Sequence, residues 1–62
     1  MTKYVVCFFD MVFGEEMEDI ARNADGSAIL FDTKAEAEAK AKEYAEAFDD
    51  YYFVDTAPSW AY

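Results

Sequence analysis

Chemistry in this chain would have to come from carboxylates or from one thiol. The 62 residues hold fourteen Asp and Glu, a single cysteine (Cys7) and no histidine. A nucleophile at Cys7, Ser27, Ser59 or a threonine therefore has no imidazole base to activate it. Cys7 lies within an apolar run, residues 4–9, in an acidic chain. Apolar surroundings and neighbouring negative charge both raise a thiol's pKa and suppress thiolate, so core packing is its expected role. Adjacent carboxylates are plentiful, but fourteen acids in 62 residues produce such pairs from composition alone. A glycosidase-type pair also needs a cleft that so short a chain cannot build beside a core. Gly14 and Gly26 are the only glycines, so no glycine-rich phosphate loop exists. One metal pattern can be tested. Setting Gly26 as the sixth position of a Ca²⁺ loop places Asn23 and Asp25 correctly and Asp32 twelfth. The first position then falls on Ala21, which has no side-chain oxygen, and the twelfth lacks the longer Glu. The expectation is a non-enzymatic protein with no metal site and no cofactor.

The elements that would carry these residues follow from periodicity. Residues 3–13 read as a strand, with Tyr4, Val6 and Phe8 on one face and Val5, Cys7 and Phe9 on the other. Gly14 turns the chain. Residues 15–23 are ambiguous: Phe13, Met17, Ile20, Ala21 and Ala24 follow helical spacing, whereas residues 23–26 are a strong turn signal. The turn favours a hairpin of residues 16–22 with 28–31. Thr33 opens a helix over residues 34–48, with Glu36 completing a capping box and Ala37, Ala41, Tyr44, Ala45 and Phe48 forming its buried stripe. Residues 51–55 read as a last strand and 56–62 as a tail. The predicted fold is a single small α+β domain: an antiparallel sheet of three to four strands against one helix, in the order β-β-β-α-β.

Composition then limits the partners. Five Lys and Arg against fourteen acids give a formal net charge of −9, which argues against direct binding of nucleic acid and against an anionic membrane surface. Hydrophobic residues at 55% and aromatics at 19% exclude a disordered acidic tail. No apolar stretch approaches the roughly 18 residues that span a bilayer. A lone cysteine in an apolar run fits a reducing compartment, and the expected location is the cytoplasm.

The layout of charge is more informative than its total. Glu36 with Lys40 and Glu38 with Lys42 are favourable helix pairs. The uncompensated acids fall into two runs without a base. One is Asp10, Glu15, Glu16, Glu18 and Asp19; the other is Glu43, Glu46, Asp49, Asp50 and Asp55. Solubility alone does not require this density, and self-repulsion weakens a marginal fold. Carboxylates at alternate strand positions recur about every 6.6 Å, similar to a run of backbone phosphates. The aromatics Tyr51, Tyr52, Trp60 and Tyr62 exceed what the core needs. They could cover a sheet face, form a homodimer seam or anchor a partner.

In size, acidity, absence of catalytic groups and base-free acidic runs, the chain resembles the small acidic inhibitors of phages and mobile elements, including anti-CRISPR proteins and other DNA mimics. That resemblance implies docking into the basic nucleic-acid-binding groove of a host protein complex, a CRISPR effector first among them, and a block of DNA binding. Glu15, Glu16, Glu18, Asp19, Glu46, Asp49, Asp50 and Asp55 would act as phosphate surrogates. A second, partial resemblance is to small antitoxin domains of the HicB type. Residues 33–37 and the strand order echo their start-of-helix segment, but the Gly-rich stretch ahead of it is missing. It implies a protein-interaction module or homodimeric domain that uses its aromatic surface.

Overall fold

The apolar run near the N-terminus becomes the central strand. In the computed structural model, which describes residues 2–62, β1 (Tyr4–Val12) lies between β2 (Glu15–Ile20) and β3 (Tyr52–Thr56). Both pairings are antiparallel. The helix α1 (Lys34–Phe48) packs on one face of this sheet, and a single 3₁₀ turn, Ser59–Ala61, closes the chain. The α+β fold is as expected.

A strand that is apolar on both faces needs cover on both. Val6 receives it from the helix, forming the core with Ala37 and Ala41, around which Tyr4, Tyr44, Tyr52 and Val54 pack. Alanines at the contact let the helix backbone approach the sheet, and the tyrosines fill the space at its margins. Phe48, expected as the last residue of the buried stripe, is instead 65% exposed, its ring meeting those of Tyr44 and Tyr52 at centre distances of 6.1 and 6.4 Å at the margin of the core. On the opposite face Val5 and Cys7 are also buried, beside the C-terminal tail. Three of its contacts among the described residues hold the tail in place. The Ala57 amide donates to the Lys3 carbonyl at 2.8 Å, the Lys3 amide donates to Tyr62 Oη at 2.8 Å, and the Arg22 guanidinium lies 5.3 Å from the Trp60 ring centre.

The helix begins and ends as its sequence dictates. The Thr33 hydroxyl accepts the Glu36 amide at 3.2 Å and donates to the Glu36 carboxylate at 3.0 Å. Asp49 ends the helix in the left-handed region, at φ 52°.

The expected hairpin is where the structure departs from the sequence reading. Residues 23–27 do turn: Asn23 N donates to Ser27 O at 2.7 Å and Ile29 N to Ala21 O at 3.1 Å. The carboxylate of Asp25 accepts both the amide and the hydroxyl of Ser27, which holds its pKa below the usual aspartate range. Yet residues 28–31 form no strand. They contribute single bridges, Ala28 to Arg22 and Phe31 to Tyr4, so the element order is β-β-α-β. The main partner of β2 is β1, through a two-residue turn at Phe13 and Gly14. Both turn residues have positive φ, 53° and 81°, as a type I′ turn requires, and this geometry matches the twist of paired strands. Two long strands joined this tightly make a more extensive ladder than the short return segment offers.

Candidate functional site

The register assigns each acid to a face. Residues directly opposite in an antiparallel pair share a side of the sheet. Phe9 is opposite Glu18 and Met11 is opposite Glu16, so these acids lie on the face away from the helix. Asp55, opposite Val5, joins them from β3. Glu15, opposite Val12, and Asp19, opposite Phe8, lie on the helix side. Glu46, Asp49 and Asp50 are gathered at the C-terminal end of α1. The eight expected contact residues therefore occupy both sheet faces and one helix end.

All of these carboxylates are displayed. No polar or charged side chain is buried among the described residues. Asp19 is the only one of the eight in an ion pair there, with Arg22 at 3.6 Å. Three aspartates use one oxygen locally, accepting the next residue's amide: Asp19 from Ile20 at 2.7 Å, Asp50 from Tyr51 and Asp55 from Thr56, each at 2.8 Å. The cations are drawn to acids outside this set as well. Lys3 pairs with Asp32, whose hydrogen bond and charge raise the lysine's pKa. Lys40 pairs with Glu43 at 3.2 Å rather than with Glu36, which is engaged at the helix cap.

The most exposed part of the molecule is the end of the hairpin. The pairing of β1 with β3 covers Tyr4 to Phe8 only, so beyond Phe8 the strand pairs with β2 alone. Residues 9–18 form a two-stranded arm in which every residue is exposed. At its tip Phe13 is 102% exposed. Met11 and Met17 are at least half exposed, and Asp10, Glu15, Glu16 and Glu18 are interspersed with them without a base. Sequence reasoning identified the acids but missed Phe13. The available signal was a phenylalanine before a glycine in a two-residue loop, where Asn-Gly is the favoured pair.

A cleft of about 350 Å³ opens on the helix-free face, floored by Val5, Cys7 and Ile20, with Arg22, Trp60, Glu18 and Asp55 among its lining residues. Burial pushes the Cys7 thiol up to about 11, with further contributions from the charges of Glu18 and Asp55. At neutral pH it is held as thiol, a poor nucleophile. Among the described residues no helix is long and apolar enough to cross a membrane.

No family model, curated protein or solved structure matches the chain.

Proposed function

We propose that the protein is a non-enzymatic acidic inhibitor that docks on a basic nucleic-acid-binding groove of another protein and blocks DNA binding by presenting carboxylates in place of phosphates. One observation carries this reading. The acidic runs are displayed with few compensating cations: seven of the eight expected contact acids have no ion-pair partner among the described residues, Asp19 pairs with Arg22, and Lys3 and Lys40 are taken by Asp32 and Glu43. Glu16 and Glu18 stand two residues apart on one face of β2, an axial spacing of about 6.6 Å. Such a surface raises the local concentration of cationic groups and steers association with a basic partner. A CRISPR effector is the foremost target class suggested by the chain's resemblance to anti-CRISPR proteins.

Affinity capture from nuclease-treated bacterial lysate, with elution by added DNA, tests the reading. The expected result is a DNA-binding complex released by DNA, with its recovery lost in Glu16→Lys and Asp50→Lys baits. Undiminished capture by both variants would overturn the mimicry.

A second reading, an interaction module whose affinity comes from aromatics, is favoured by ring contacts of the exposed Phe9 and Tyr51 with the half-buried Phe53. Phe9 lies 5.3 Å from Phe53, and Phe53 lies 5.7 Å from Tyr51, centre to centre. It predicts a partner indifferent to salt and DNA, with Tyr51→Ala weakening capture more than any charge reversal.

A further inference from the structure

We propose that the hairpin arm, residues 9–18, is the element that docks, and that its occupant is the basic groove of a nucleic-acid-binding protein, entered tip first by Phe13. This rests on the charge reading above and narrows it to one of the two acidic runs.

The arm is a sheet segment without a partner. Past Phe8 it loses the support of β3, and all ten of its residues are exposed. A two-stranded ribbon standing alone is marginally stable in water. This one also leaves Met11, Val12, Phe13 and Met17 to solvent at 64%, 37%, 102% and 50% exposure. Met11 lies on the helix-free face and Val12 and Met17 on the opposite one, with Phe13 at the tip between them, and exposed apolar side chains rimmed by polar groups mark an interaction surface. The tip itself conflicts with local preference. A phenylalanine is held at φ 53°, a region glycine or asparagine occupies more easily, and it makes this placement with its side chain fully in water.

Charge selects the occupant. The arm carries Asp10, Glu15, Glu16 and Glu18 and no cation. A second copy would bring like charges together across the contact, which is destabilising. Lys3, Arg22 and Lys40 are paired with the chain's own acids, which leaves Lys34 and Lys42, both on the helix, as the side-chain cations of the described residues that could meet the arm's four carboxylates. A groove lined by Lys and Arg meets the carboxylates on either strand, while an apolar recess at its floor takes Phe13. The carboxylates would set encounter rate and salt dependence, and the phenylalanine would set residence time.

Two measurements test this. In the first, the full chain is titrated by NMR with a nine-residue oligoarginine peptide at low and physiological salt. The expected amide shifts concentrate in residues 9–18, Glu16→Lys weakens binding at least tenfold, and Glu38→Lys, an equal change of net charge on the helix, weakens it less than threefold. Shifts centred on residues 46–55 with no preference between those variants would overturn the arm while leaving the charge reading standing. No salt-sensitive binding at all would overturn both. In the second, Phe13→Asn is used as bait against the heparin-binding protein fraction of a bacterial lysate. Asparagine suits the turn, so the variant should melt no lower than the parent. Recovery below a tenth of the parent's supports Phe13 as the anchor, and equal recovery overturns it.

Discussion

The guanidinium of Arg22 stacks 5.3 Å from the ring centre of Trp60, and in doing so ties the C-terminal turn to the chain just beyond β2. Arg22 also donates to the Gly26 carbonyl at 3.0 Å and pairs with Asp19, so a single side chain joins the tail, the 23–27 turn and the sheet edge. The excess aromatics of the tail thus have an intramolecular use: Trp60 forms one wall of the cleft floored by Val5 and Cys7.

Trp60→Ala should therefore loosen the tail. Loss of the cation–aromatic contact alone is worth about 0.5–1 kcal/mol at an exposed site. In a domain of this size each kilocalorie shifts melting by about 4–8 °C. Alkylation of Cys7 by iodoacetamide, followed by mass spectrometry, should proceed several-fold faster than in the parent. Unchanged melting and alkylation would show that the tail does not protect the open sheet face.

The buried thiol makes stability depend on pH at the alkaline end. Cys7 titrates at 9.0 without the protein's influence and at about 11 in the fold. The folded state therefore keeps its proton where the unfolded chain has lost it. The sign follows: no loss below pH 9, then a decline as pH rises through the interval to 11. Urea unfolding of the parent at pH 8 and pH 10.5 should show a larger drop in midpoint than the same comparison in Cys7→Ala. Equal drops would mean the thiol ionises as freely in the fold as outside it.

Thr33 can be tested in isolation from the sheet. Its hydroxyl satisfies the Glu36 amide and engages the Glu36 carboxylate. Thr33→Ala should destabilise the protein by about 1 kcal/mol, and Thr33→Ser by much less, both read from thermal melts. Equal losses in the two variants would point to the methyl group rather than the cap.

What could be read in the sequence was what local chemistry decides. The helix was legible from its capping residue to Phe48, because Thr33, Glu36 and the alanine spacing act within one or two turns. β1 was legible from its β-branched and aromatic run. The partner of residues 15–20 was not, because strand pairing is settled by competition between two turns. The Asn23 to Gly26 sequence has the better turn residues, yet the Phe13–Gly14 turn joins the longer strands. Nor could the acids' faces be read before the register was known. A one-residue slip would exchange the sides of Glu15 and Glu16. The same dependence hid the arm, which exists because β3 stops pairing at Tyr52, opposite Phe8.

The turn that builds the arm yields the last prediction. Phe13 and Gly14 both occupy positive φ, and a Cβ added at Gly14 would meet nothing within 4 Å. Gly14→Ala therefore creates no clash, and its whole effect is the conformational cost of a left-handed alanine, about 1–2 kcal/mol. Phe13→Asn runs the other way, since asparagine tolerates that region and phenylalanine does not, and should raise stability by up to about 1 kcal/mol. Chemical denaturation of the two variants should place them on opposite sides of the parent. If Phe13→Asn instead destabilises the fold, the aromatic ring stabilises the hairpin, and the strain argument at the tip fails.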